Sequence, residues 1–204
     1  MKRIGLVSLL LVFAFFGWLT QINFHVVEPG KLYRSAQLSP WELESFIKVY
    51  GIKTVINLRG VENRRWYHNE KALTHELGVT YVTIDMSART IPDRDAELAL
   101  IDAFRNAPKP ILIHCRSGAD RTGESSAIYE MVFENKSKAA ALKMLSPRYL
   151  HFSYFRPAKD YFINIFQNEQ WLRSSYFPCS GKFQYYNPHN PDCNRTESPA
   201  SVGL

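Results

Sequence analysis

Short apolar runs alternate with helical periodicities through the middle of the chain. KTVINL (53–58), VTYVTI (79–84) and PILIHC (110–115) are dense in β-branched and apolar residues and read as buried strands. Ahead of the first, Ser39 precedes PWELESFIKVY, which lines up Leu43, Phe46, Ile47 and Tyr50 and stops at Gly51. That pattern predicts a helix with an N-cap at Ser39, a proline in its first turn and a glycine terminator. Residues 66–77 end at Gly78 in the same way, and residues 93–106 put Leu98, Ile101 and Phe104 on one face. Three more helices are predicted at 122–134, 137–145 and about 157–170, the last with Tyr161, Phe162, Ile165 and Phe166 as a packing stripe. Strands and helices joined by short connections predict an α/β fold, a mainly parallel central sheet flanked by helices.

The two ends differ from this middle. Lys2 and Arg3 precede a 21-residue uncharged run, Ile4 to Phe24. About 20 mostly apolar residues suffice to cross a bilayer. No small-x-small cleavage site closes the run, which favours a retained N-terminal membrane helix over a removed signal peptide. The basic N-terminus then leaves the rest of the chain on the exported, periplasmic side. The C-terminal end, from SSYFPC onward, has neither hydrophobic period and reads as irregular. The expected organisation is an anchor or signal over 1–24, a folded domain over 25–172 and a tail over 173–204.

Composition adds little. A net charge of +6 favours anionic partners, and nothing resembles a nucleic-acid-binding motif. Cysteine placement says more: of three, Cys179 and Cys193 lie close together in the tail, where an oxidising compartment would let them pair and leave Cys115 free.

Cys115 sits in HCRSGADRTG (114–123), between a predicted strand and a predicted helix. Open α/β sheets place ligands at such carboxyl ends of strands. Backbone N–H groups turning into a helix N-terminus form an anion cradle. Gly118 allows a positive φ and close approach to an oxyanion, and Gly123 lets the helix pack tightly against the sheet. Arg121 offers a bidentate fork to two phosphate oxygens. Within that field the Cys115 thiol is expected to fall from about 8.5 to the range of about 3.5–7.5 and to attack phosphorus as a thiolate. Thr122 can donate its hydroxyl to the sulfur, and His114 either orients the loop or is an ordinary strand residue.

These residues resemble a known family. HCRSGADRTG matches the His-Cys-x-x-Gly-x-x-Arg-Ser/Thr-Gly signature of protein tyrosine and dual-specificity phosphatases. EPGKLYRSAQLSP and YGIKTVINLRG are similar to the opening of the bacterial and fungal branch of compact dual-specificity enzymes. The resemblance spans roughly residues 26 to 170. It implies the phosphatase fold, a cysteinyl-phosphate on Cys115, and phosphate binding by the loop from Arg116 through Ser117, Gly118 and Ala119 to Arg121. It implies no metal and no cofactor.

One departure stands out. The family's proton donor is an aspartate on the loop after the strand at 79–84, and here that loop reads MSART. Asp85 and Asp93 flank it, with ordinary roles as a turn residue and an N-cap. Asp120, inside the phosphate loop, is the sharper candidate, because a carboxylate there disfavours phosphate unless it is protonated or turned aside. Myotubularin lipid phosphatases and some secreted bacterial tyrosine phosphatases resemble this chain in that Asp-Arg pair, which implies the same use. Alternatively, Asp120 points outward and binds a neighbouring arginine. The segment SPRYLHFSYFRP, with Arg148, Tyr149, His151 and Arg156, reads as a solvated surface turn, with a positively charged pocket rim as the alternative. The expected activity is a protein tyrosine or dual-specificity phosphatase acting on phosphoproteins. A lipid or inositol phosphate phosphatase is the alternative, and a phosphate-binding pseudophosphatase the non-enzymatic one.

Overall fold

The computed structural model describes Gly17, residues 22–179 and residues 181–188. The predicted N-terminal membrane helix falls almost wholly outside the described residues. Among those described, no helix is long and apolar enough to cross a membrane. Ile22 and Phe24, at the end of the predicted anchor, pack against Tyr33, Phe46 and Tyr50 of the folded domain.

Five strands form one mixed sheet in the order β1-β2-β5-β3-β4. They are β1 (His25–Glu28), β2 (Leu32–Ser35), β3 (Thr54–Asn57), β4 (Thr80–Thr83) and β5 (Ile111–His114). The three predicted strands are β3, β4 and β5, trimmed at their ends, and their pairing is parallel, as is that of β2 with β5. The β1–β2 hairpin was not foreseen and adds the antiparallel edge. It closes around Pro29 and Gly30, whose φ of 71° suits a tight turn.

The sheet's alternation sorts its side chains onto two faces. Val55 and Leu112 point to one face, under helices α1 (Pro40–Tyr50) and α2 (Arg65–Glu76). Ile56, Ile111 and Ile113 point to the other, where α3 (Arg94–Asn106) and α4 (Asp120–Phe133) supply Leu100, Phe104 and Tyr129. Helix α1 begins and ends where its sequence dictates, with a Ser39–Glu42 capping box and Gly51 in the left-handed region.

Downstream of α4 two predicted helices are shorter than their patterns suggested. The stretch 137–145 gives only α5 (Lys138–Ala141) and a 3₁₀ turn at 142–144. The predicted helix over 157–170 is split into α6 (Pro157–Ile165) and α7 (Glu169–Ser174). Asn168 breaks it, because its side chain accepts from the Trp171 N–H and so starts a new helix. Phe162 and Phe166 are buried as the stripe predicted, and Tyr176 packs with them, its hydroxyl donating to the Pro92 carbonyl. No regular element follows α7 among the described residues. Cys179 is disulfide-bonded while Cys115 is free.

Candidate active site

Strand β5 ends at His114 and helix α4 starts at Asp120, so residues 115–119 form a tight loop at the sheet's carboxyl edge. What shapes this loop is the fate of its carbonyls. The Arg116 carbonyl accepts from the Gln37 N–H at 3.2 Å, and the Ser117 carbonyl from Asn23 Nδ2 at 2.9 Å. The Gly118 carbonyl accepts from the Arg34 guanidinium at 2.7 Å, and the Ala119 carbonyl from the Gly123 N–H at 2.8 Å. Four consecutive carbonyls are thus tied to surrounding elements, which turns the intervening N–H groups toward the loop's centre.

Arg34 is the main brace. It is fully buried on β2, hydrogen-bonded also to the Met144 carbonyl at 3.0 Å, and stacked 4.2 Å from the Tyr149 ring. Burial brings its guanidinium down to about 10, still charged at neutral pH. Gly118 is required twice over: its φ is 68°, and a Cβ would lie 2.7 Å from the Ser35 and Ala36 backbone. Gly123 has a different reason from the expected one. A Cβ there would meet Leu145 at 2.7 Å and the Met144 carbonyl at 2.9 Å, so the close packing is against the turn after α5, not the sheet.

Cys115 is buried at the centre. Burial alone pushes its thiol up, but Arg121, the Thr122 hydroxyl and the N–H groups of Thr122 and Ser117 outweigh that and hold it below its ordinary value. Arg121 is fixed by donating to the Leu58 carbonyl at 3.2 Å and the Met86 carbonyl at 3.4 Å. Its buried Nε has no hydrogen-bond partner among the described residues, leaving that edge of the fork available to an anion.

His114 is more than a strand residue. Its Nε2 lies 2.6 Å from Oε1 of buried Glu70 on α2. Burial works against an imidazolium, yet Glu70 raises its pKa above the ordinary value. The other Glu70 oxygen accepts from Gln37 Nε2, and Gln37 Oε1 accepts from Arg59 at 3.2 Å. A chain of polar contacts therefore runs from the residue before the thiol to an arginine at the pocket mouth. Neither Glu70 nor Gln37 was singled out from sequence.

The three candidate acids are placed differently. Met86 touches Arg121, so the loop MSART does lie against the site, without a carboxylate of its own. Asp85 is exposed and packs beside Gly60, while Asp93 holds the N-cap position of α3. Asp120 opens α4, its Oδ1 2.8 Å from His151 Nδ1 and its Oδ2 3.8 Å from Arg156 Nε.

His151 corrects the surface-turn expectation for 146–157. It is fully buried, with Nε2 2.8 Å from Asp160 Oδ2 on α6. Burial opposes its charge, but the two carboxylates raise it to about 9, so it is an imidazolium at neutral pH. The sequence could not signal this, since Asp120, His151 and Asp160 meet only once α4 and α6 pack together.

A second unforeseen cluster lies behind the MSART loop. Buried Lys159 donates to the Thr90 carbonyl at 2.9 Å and pairs with Glu124 at 2.8 Å. Burial drives the Glu124 and Glu97 carboxyls up, with Lys159 opposing. The cluster pins the loop from inside; among the described residues no group of acids, histidines and cysteines is arranged to hold a metal.

Known proteins share both the sequence and the architecture. Dual specificity protein phosphatase TpbA from Pseudomonas aeruginosa is 32% identical over 127 residues, covering 60% of this chain and 52% of TpbA. The chain thus spans about half the length of the curated relatives it matches. The crystal structure of P. aeruginosa TpbA superposes with a TM-score of 0.58 at 24% identity, over 74% of this chain and 89% of that one. The core catalytic domain of the PP-IP phosphatase SIW14 from S. cerevisiae gives 0.60 at 22% identity, over 71% and 85%. These superpositions show the fold. The sequence pattern of the tyrosine phosphatase family matches residues 16–140, more than half of the length, and the chain belongs to that family.

Proposed function

We propose that the protein hydrolyses phosphate monoesters through a covalent cysteinyl-phosphate on Cys115. One observation carries this reading: the carbonyls of 116–119 are all held outward, so the loop presents N–H groups and Arg121 around a thiol that they keep below its ordinary pKa. The thiolate attacks phosphorus, and the S–P bond forms as the ester P–O bond breaks. N–H groups of Arg116, Ser117, Gly118 and Ala119, with Arg121, hold the non-bridging oxygens as charge spreads over them. Water then displaces the sulfur, which the Thr122 hydroxyl stabilises as it leaves.

Asp120 gives the departing oxygen its proton in this reading. Its support is the carboxylate-free MSART loop and the His151 contact, which neutralises a negative charge beside an incoming phosphate. The proton delivered is the one that the His151 imidazolium holds, passed through the Asp120 carboxylate, and the water that attacks the thiophosphate returns one to the pair. Protein phosphotyrosine is the first substrate reading, following the likeness to TpbA, a structure of which is in complex with pTyr. A small phosphorylated polyol is the second, favoured by the arginines at the pocket mouth. The uncharged run 4–24 and the disulfide at Cys179 support placement on the exported side of a membrane.

Acid-quenched turnover tests the reaction. Mass spectrometry should find a phosphoryl adduct on the Cys115 peptide, and a Cys115→Ser chain that keeps its activity would sink the reading.

A further inference from the structure

The cavity in front of the phosphate loop holds more positive charge than one phosphate monoester uses. It measures about 550 Å³, within the range of small-molecule sites, and is lined by Arg59, Glu62, Asn63, Arg64, Arg116 and Arg121. Four guanidiniums therefore share one carboxylate. Arg121 is committed to the reacting phosphate on the reading above. The other three have no assigned work.

Arg59 is built in. Its side chain is only 11% exposed, donates to Gln37 at 3.2 Å and to Glu62 at 3.1 Å, and lies 3.7 Å over the Trp66 ring. An arginine held on three sides gives up little rotamer freedom on meeting a ligand. Arg64 approaches the same Glu62, its Nε 3.3 Å from Oε2, so one negative charge serves two positive ones. Arg116 stands exposed in the phosphate loop itself. Burial, with Arg121 and Arg116 nearby, holds the Arg59 guanidinium below its ordinary pKa, Glu62 working against that. Such crowding of like charge is relieved by an anion. None of the six lining side chains is apolar, so each can meet a polar group of a ligand.

We propose that Arg59, Arg64 and Arg116 form a second anion subsite, which takes a second phosphate group on the same small polyhydroxylated substrate. The substrate class is a bis- or polyphosphorylated polyol, either free or as the headgroup of a lipid. This deepens the second of the two substrate readings above and rests on the Cys115 loop as the reacting centre.

Binding to the full chain carrying Cys115→Ser tests the subsite without needing turnover. Calorimetric titration compares an inositol bisphosphate, an inositol monophosphate and a phosphotyrosine peptide with acidic flanks. The bisphosphate should bind at least about tenfold more tightly than the monophosphate, the worth of one added charge-assisted contact. Arg64→Ala, on an exposed side chain, should shrink that advantage to about threefold or less, and Arg59→Lys should reduce it by losing the fork. Raising the salt concentration should weaken the bisphosphate more than the monophosphate. Equal affinity for the two inositol phosphates overturns the proposal, as does tighter binding of the phosphopeptide. Phosphatidylcholine vesicles with and without phosphatidylinositol bisphosphate, set against the soluble headgroup, decide between the lipid and the free polyol; preference for either doubly phosphorylated form supports the subsite. Turnover of p-nitrophenyl phosphate by the unsubstituted chain is read separately. Its absence would sink the phosphatase reading, while retained bisphosphate selectivity would still support the subsite.

Discussion

The phosphate loop is flanked by two buried histidines that solve opposite problems. At its entrance His114 pairs with a single carboxylate, Glu70, and the pair is neutral when the imidazole is charged. At its exit His151 lies between two carboxylates, Asp120 and Asp160, and Arg156 stands 3.8 Å from Asp120. The entrance thus favours the thiolate, since His114 and Cys115 interact across one peptide unit. The exit concentrates acid beside the start of α4. On the proposed mechanism, this divides the work: the entrance tunes the nucleophile and the exit handles the leaving group.

Four experiments bear on that division. The largest effect comes from the atom both ends serve: Cys115→Ser should lower kcat/KM at least about a thousandfold on every phosphate ester tried. Residual activity near the wild-type level would remove the reason for comparing the ends at all. Asp120→Asn should come next and act on the exit alone. It is expected to cost about a hundredfold with an alkyl phosphate and about tenfold or less with p-nitrophenyl phosphate, whose leaving group needs little help from an acid. Equal losses on both would count against Asp120 as donor.

The third experiment reads the exit through stability. His151 is raised from 6.5 to about 9 in the folded protein, so the stabilisation it contributes is fully present below about 6.5 and is lost as pH rises to about 9. Allowing for screening of its partly solvated carboxylate partners, this amounts to about 2 kcal/mol. Asp120 and Asp160 face the ring, with Arg156 beside Asp120 and Glu124 within electrostatic reach. Denaturant unfolding of the wild type should weaken over that window, and His151→Asn should be less stable at pH 6 but flatter with pH. A wild-type curve with no slope there would show that His151 is not charged in the fold.

The phosphate loop itself, Asp120 included, was legible in the sequence, and the partners of the histidines at its two ends were not. Strands β3, β4 and β5, the helix starting after Ser39 and the HCRSGADRTG turn are local patterns, decided by neighbours within a few residues. Arg34 could not be read that way, because it braces the Gly118 carbonyl across 84 residues. Glu70 lies in HNEKALTHE, a run polar enough to pass for a solvated helix face. His151 was placed at the surface for the same reason: charged groups are rarely fully buried unless paired, and its partners come from α4 and α6. The single helix expected over 157–170 failed because the packing stripe continues past Ile165 while the backbone does not. Where a functional contact is made by distant residues, periodicity carries no trace of it.

The smallest expected effect is also the one that separates the two ends most cleanly. Glu70→Gln keeps the shape of the side chain but removes the charge that raises His114 against the effect of burial. His114 should then lose its proton at lower pH, and the Cys115 thiol should rise toward its ordinary value. Alkylation of Cys115 by iodoacetamide, followed against pH, should shift to higher pH in Glu70→Gln and stay in place in His151→Asn. Activity should follow the thiol: kcat/KM near pH 5 should fall about tenfold in Glu70→Gln, one pKa unit's worth, and recover as the pH is raised. The leaving-group dependence should remain that of the wild type, because the exit is untouched. A Glu70→Gln protein with an unmoved alkylation profile would mean that Arg121 and the loop N–H groups set the thiol alone, and that the entrance histidine is only a brace.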